Sequence, residues 1–239
     1  MPKIAKWMGN ALEGIMSSKM PMMKVVEIVY LTPFVKKVRF QGNLTAMNFQ
    51  LGYAVFIRIN DTEYRNYTVS ETNLEQGTLE IIFHLHGNGP GSHFIDKLKI
   101  GNQIRIGVPR GKKMYDQSAE KHLIFGDETS LGLAKSLHRK MDEDQKLYFF
   151  YFELDDINSH VPEHIGLKNY IVFPKNSIFK NSKLLDNLPI FKLGNWNNAN
   201  FILTGNANSI QIIRTALKTR SCIGKIYSQG FWLENKAGL

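Results

Sequence analysis

Two rhythms of apolar residues divide the chain. Between Val25 and Pro109 they come in short runs, at about Val25–Leu31, Val35–Phe40, Ala54–Ile59, Tyr64–Val69, Thr78–His84 and Gln103–Val108. Each run is rich in β-branched or aromatic residues. Pro33, Gly42, Asn60-Asp61, Gln76-Gly77 and Gly101-Asn102 bound them, as turn residues bound strands. Six such strands without a long helix between them predict a small antiparallel Greek-key β-barrel. In this half only His93–Leu98 reads as helix.

From His122 the rhythm changes. Strands at His122–Gly126, Lys146–Leu154, Asn169–Phe173, Phe201–Thr204 and Gly224–Ser228 alternate with helices at Ser130–Met141 and Ser209–Thr219. A helical or irregular piece surrounds Ile157–Ile165, the stretch between Phe173 and Phe201 reads as polar, and Asn195–Asn200 reads as a loop. Alternation of this kind predicts a Rossmann-like parallel α/β domain with a nucleotide crevice at the carboxyl ends of its strands. Before both lies an amphipathic pattern, with Ile4, Trp7, Met8, Leu12, Ile15 and Met16 at helical spacing. The expected organisation is an amphipathic helix over 1–23, a barrel over 24–116, and an α/β domain with a C-terminal tail over 117–239.

The stretch from Arg65 to Ser92 concentrates the candidate chemistry. It opens with a cation, an aromatic ring and a hydroxyl, Arg65, Tyr67 and Thr68, and closes on a turn containing Gly87, Gly89 and Gly91. In a regular strand Arg65, Tyr67 and Val69 share one face and Thr68 the other. An arginine fork donates to two phosphate oxygens at once, and glycines let backbone approach a ligand closely. Ser92 is placed to cap the helix that follows. A flat ring joined to a pyrophosphate, as in a flavin dinucleotide, suits this set. Alone, Arg65 reads equally well as a surface residue of a barrel strand, and Tyr67 reads more readily as an ordinary core tyrosine.

Composition narrows the picture. In 239 residues there is one cysteine, Cys222, so no internal disulfide and no site held by several thiolates can form. With 43% hydrophobic and 21% charged residues the chain reads as globular. No apolar window approaches a membrane span or a signal-peptide core, which makes the cytoplasm the expected location. The formal charge of +9 suits nucleic acid, an anionic membrane or a small anionic substrate without separating them, and surplus lysine is most often a solvated surface. Its lysines and arginines are scattered, and no reader motif for nucleic acid is present. His84, His86, His93, His122, His138, His160 and His164 follow no metal-ligand spacing, so no protein metal site is expected.

Arg65-Asn66-Tyr67-Thr68 resembles the Arg-x-Tyr-(Ser/Thr) signature of the ferredoxin-reductase-like flavoproteins. Four further runs are similar to the siderophore-interacting branch of that superfamily: Leu85–Ser92, Gly107-Val108-Pro109-Arg110-Gly111, Gly126-Asp127-Glu128-Thr129 and Gly230-Phe231-Trp232. The resemblance extends over about residues 25–233. It implies an FAD-containing, NADPH- or NADH-dependent reductase that releases Fe(II) from ferric siderophores. Two alternatives share the same motifs: a general flavin or ferredoxin-type reductase, and a non-catalytic flavin- or siderophore-binding module.

On that resemblance Arg65 meets the FAD phosphates, Tyr67, Thr68 and Val69 the flavin ring, and His86, Gly87, Gly91 and Ser92 the length of the cofactor. Asp127, Glu128 and Thr129 would face the nicotinamide crevice, and Trp232 the region near the flavin. Lys112, Lys113, Lys225 and Lys236 are candidates to attract an anionic iron chelate. The chain departs from the branch at Ser70, where a second arginine is common, at Thr204-Gly205-Asn206, where Ala-Gly-Glu is usual, and at Leu131-Gly132-Leu133 in place of Leu-Pro-Ala.

Overall fold

The computed structural model describes residues 7, 20–175, 179, 184–193 and 196–234. They form two compact units, one running to Lys113 and the other starting at Met114. The helix expected over 1–23 falls outside the described residues as far as residue 19, Trp7 excepted, and the first strand already begins at Met22. No helix among the described residues is long and apolar enough to cross a membrane.

The first unit is the antiparallel sheet that the strand pattern predicts. Its strands are β1 (Met22–Thr32), β2 (Val35–Gln41), β3 (Ala54–Arg58), β4 (Tyr64–Asn73), β5 (Thr78–His84) and β6 (Gln103–Arg105), in the order β3-β4-β5-β2-β1-β6. Alternation is visible in β2 and β5, where Val38, Phe40, Leu79, Ile81 and Phe83 fill the core. Burying each such side chain contributes about 1.5–3 kcal/mol. The opposite face of β5 holds Glu80, buried at 2% exposure and paired with Arg39 at 3.3 Å and Lys37 at 3.4 Å.

The run expected over Gln103–Val108 is regular only to Arg105. Beyond it, Ile106 and Arg110 make isolated bridges to Ile57 and Ala54 of β3, so the two edges of the sheet meet and the barrel closes. Gly107 allows this approach, because a Cβ there would lie 2.2 Å from the Phe56 ring. Between β5 and β6 lies α1 (Pro90–Asp96).

The second unit is a parallel sheet of β7 (Lys121–Asp127), β8 (Leu147–Leu154), β9 (Tyr170–Pro174), β10 (Asn200–Asn206) and β11 (Ile226–Trp232), in the order β11-β10-β7-β8-β9. Its helices are α2 (Leu131–Glu143), α3 (Val161–His164), α4 (Pro189–Leu193) and α5 (Ala207–Thr219). The aromatic run of β8 is the near-continuous apolar strand that burial on both faces requires. Within it Phe150 and Phe152 stack at 5.7 Å. The stretch between Phe173 and Phe201 is not simply polar: Phe179, Leu185, Leu188 and Ile190 join the core with Phe125 and Phe201. These four carry no period readable in the sequence, yet they pack in one cluster with residues of the sheet.

His122, at the start of β7, is fully buried and lies against Tyr115 with ring centroids 4.9 Å apart. Neither ring nitrogen makes a hydrogen bond of normal geometry, the backbone of Ala119 offering only a weak one. Burial therefore holds its pKa below the usual histidine value. A folded-state pKa below the unfolded one makes the unfolded chain bind more protons, so this group's contribution is lost as pH falls below the unfolded value of about 6.5. His122→Phe keeps the aromatic contact and removes the titration. Denaturant unfolding at pH 7 and pH 5 should show a smaller acid loss for the variant than for the wild type; equal losses would contradict this account.

Candidate functional site

In the first unit three separated pieces of sequence meet. Arg65 and Tyr67 come from β4, and Gly91 from the first turn of α1. A Cβ on Gly91 would stand 3.0 Å from Tyr67 Oη and 3.2 Å from Arg65 Cγ, so glycine is what lets the helix close on this pair. The edge of the Tyr67 ring packs on Phe83 of β5 at 4.7 Å. Burial pushes the Tyr67 phenol pKa well up, with Arg65 opposing it, and the group is a neutral O–H donor throughout the working pH range.

Arg65 is half-buried and not idle. Nη1 donates to Tyr64 O at 2.9 Å and Nη2 to Glu63 Oε1 at 3.0 Å. A guanidinium has five N–H donors, so these two bonds leave three for a ligand. Ser70 is buried and donates to Glu80 O at 3.0 Å and Glu80 Oε1 at 3.2 Å.

The other residues of this half fall into distinct places. Thr68 stands opposite Ala54 in the β3–β4 ladder and is partly exposed. Val69 packs in the barrel core, and its N–H donates to Tyr53 O at 3.3 Å. Gly87 and Gly89 adopt φ of +76° and +103°, and a Cβ on Gly87 would meet nothing within 4 Å. His86 is exposed, and its Nδ1 accepts from Asn88 N at 3.3 Å. Ser92 does not cap α1: the N-cap is Gly89, and the Ser92 hydroxyl accepts from Gly87 N at 3.1 Å. The serine thus cross-braces the glycine turn, because the helix starts earlier, at Pro90.

The second unit builds its crevice where the strand order reverses, between β7 and β10. Asp127 ends β7. Its Oδ1 accepts from the backbone N–H of Thr129 at 2.9 Å and from the Thr129 hydroxyl, and its Oδ2 from Trp232 Nε1 at 2.6 Å. Gly205, next to last in β10, has φ +98°, and a Cβ there would stand 2.5 Å from the Asp127 carboxylate. Thr204 ties the two strands together by donating to Phe125 O of β7 at 3.2 Å. Burial raises the Asp127 pKa to about 6, with the Thr129 hydroxyl opposing the rise and Glu128 adding to it.

Glu128 makes a different set of contacts from its neighbours. Its buried carboxylate accepts from Asp155 N at 2.9 Å and Asn158 Nδ2 at 3.0 Å, and pairs with Lys175 at 2.9 Å. Lys225 pairs with Asp116 at 2.7 Å. Lys112 and Lys113 are exposed, and Lys236 lies outside the described residues. Sequence reasoning did not find Phe83 as a site residue, and it noticed Gly205 only as part of Thr204-Gly205-Asn206. Phe83 reads as core in the sequence.

The residues of the first unit fit a flavin dinucleotide. A cation with donors to spare, an aromatic ring held edge-on by Phe83, and a positive-φ turn with open space beside Gly87 stand on one barrel. Comparison with known proteins agrees. Residues 22–115 match the oxidoreductase FAD-binding domain family. Ferric vibriobactin reductase ViuB of Vibrio cholerae is 27% identical over 180 residues, covering 72% of this chain and 65% of the relative's length. The chain thus spans about two thirds of that protein. The siderophore-interacting protein SipS from Aeromonas hydrophila superimposes with a TM-score of 0.74 at 17% identity, over 92% of this chain and 94% of that one. Ferredoxin-NADP+ reductase from Plasmodium falciparum does so with a TM-score of 0.68 at 15% identity, over 88% and 96%. The chain has a ferredoxin-reductase-like fold whose residues 22–115 match the oxidoreductase FAD-binding domain family, and it is similar in sequence to a ferric-siderophore reductase and in fold to the siderophore-interacting proteins.

Proposed function

We propose that this protein is an FAD-containing, NAD(P)H-dependent reductase of ferric siderophores acting in the cytoplasm. The observation that carries the reading is the convergence of Arg65, Tyr67 and Gly91 within a domain of the FAD-binding family. Bound FAD would supply the exchange between a two-electron donor and one-electron steps. The chain's own part is to bind and orient. Arg65 donates to the pyrophosphate, Tyr67 and Thr68 flank the ring, and Gly87, Gly91 and Ser92 shape the turn along the dinucleotide.

Asp127, Thr129 and Trp232 form the floor of the nicotinamide crevice. The Trp232 indole is fixed by its bond to Asp127, which sets the angle of the ring at the end of β11. Ferric iron is the substrate's metal. Siderophores hold Fe(III) with hard oxygen donors, and Fe(II), softer and less charged, is released. Lys112 and Lys113 are the cations assigned to draw in an anionic chelate, while Lys225 is already engaged by Asp116.

The test is an anaerobic assay of purified protein reconstituted with FAD. NADH or NADPH should bleach the flavin, and a ferric tris-catecholate should restore its colour while a ferrous-specific chelator reports Fe(II). A protein that takes up no FAD would overturn the reading. Bleaching followed by transfer to ferredoxin and not to the chelate would favour the general reductase. Binding of FAD and chelate without bleaching would favour a carrier.

A further inference from the structure

Lys36 is a charged residue in the wrong place for a charge. It lies on the core-facing side of β2 with Val38 and Phe40, and it is fully buried. Taking an ammonium out of water costs several kcal/mol unless its hydrogen bonds are replaced. Here all of them are: Nζ donates to Ile95 O at 2.9 Å, Asp96 O at 3.0 Å and Leu98 O at 3.0 Å. An ammonium has three N–H donors, so the set is complete. The Tyr30 ring adds a cation–π contact at 5.0 Å.

Those carbonyls form the end of α1 and the turn after it. The last carbonyls of any helix lack partners and carry partial negative charge, but water satisfies them on most helices. At the other end of this seven-residue helix, roughly 10 Å away at 1.5 Å per residue, Gly91 lies against Arg65 and Tyr67. A helix this short moves as one piece. In the β2–β5 ladder Lys36 also stands opposite Phe83, the ring that supports Tyr67. One lysine therefore fixes the far end of the helix that closes on the pair and sits beside the residue that props the ring.

We infer that Lys36 is a positioning residue for the flavin site: by holding the carboxyl end of α1 it sets how Gly91 and the glycine turn stand against Arg65 and Tyr67. The inference rests on the flavin reading above. Its test uses the full chain with Lys36→Met, which removes charge and donors together and so leaves no unpaired buried cation. Hydrogen exchange across residues 91–98 should quicken at least about tenfold, with the remaining strands of the first unit unchanged. FAD, titrated by quenching of its fluorescence, should bind about tenfold more weakly, because small displacements of a binding wall are costly. Val38→Ala, a core change on the same strand that touches none of these bonds, serves as the control and should leave FAD affinity near wild type at an equal loss of Tm.

A Lys36→Met protein that binds FAD like wild type, or one whose loss Val38→Ala reproduces, overturns the inference. So does unchanged exchange at 91–98, whatever the wild type does with FAD. Absence of FAD binding by the wild type is a separate failure, of the flavin reading itself. Should Lys36→Met not fold, Lys36→Gln keeps two amide donors and is held to the same criteria.

Discussion

Replacing Arg65 by alanine is expected to weaken FAD binding by about 1.5–3 kcal/mol, the range for hydrogen bonds made by a charged group. That is roughly 10- to 150-fold in Kd. The loss falls at the upper end if the guanidinium is the only cation on the phosphates. Equilibrium titration of the apoprotein with FAD measures it directly. An unchanged Kd would remove Arg65 from the site and with it the main support for the flavin reading.

The same geometry predicts an opposite effect next door. Glu63 holds one arm of Arg65 at 3.0 Å and accepts from Asn60 Nδ2 at 2.6 Å. A carboxylate so close to where phosphates would lie opposes their charge and competes for the fork. Glu63→Gln should therefore tighten FAD binding, and a weakening would mean that Glu63 matters more for aiming Arg65 than for competing with ligand. In either case the pair belongs to one network, so the two substitutions are not expected to add.

What the sequence made legible follows from the range of each interaction. Strand and helix periods are local, and the six-strand and strand–helix halves could be read from them; so could the glycine turn and the Asp127–Thr129 run. Contacts between distant positions could not. Trp232 and Asp127 were each visible as candidates, but the bond between them joins residues 105 apart. Lys36 was invisible for another reason: a lysine next to Lys37 in a strand reads as solvated, and only the parity of Val38 and Phe40 hints otherwise. Phe179, Leu185 and Leu188 escaped because apolar residues spread over short single turns carry no period. Ser92 misled because the serine-before-helix signal competes with proline at the first helical position, and here Pro90 decides where the helix starts.

Asp127→Asn is expected to change the pH dependence of stability more than its absolute value at any one pH. Asp127 is 2% exposed and its pKa stands at about 6, against an ordinary 3.8. The folded chain thus binds this proton more tightly than the unfolded chain does. Stability must fall as pH rises from about 4 to 6 and stay level outside that window. The span of about two pH units corresponds to about 3 kcal/mol at 1.36 kcal/mol per unit. Asparagine cannot ionise, so the slope vanishes in the variant. It also offers one carbonyl oxygen where the carboxylate has two, and either Thr129 or Trp232 loses its acceptor, a deficit that does not vary with pH. Urea unfolding of both proteins at pH 4, 5, 6 and 7 separates the two effects. The wild type should gain about 3 kcal/mol on the variant between pH 7 and pH 4, while a constant offset marks the lost hydrogen bond. A difference that is flat across the whole range would mean that the carboxyl is ionised throughout, and that Thr129 and Trp232 outweigh its burial.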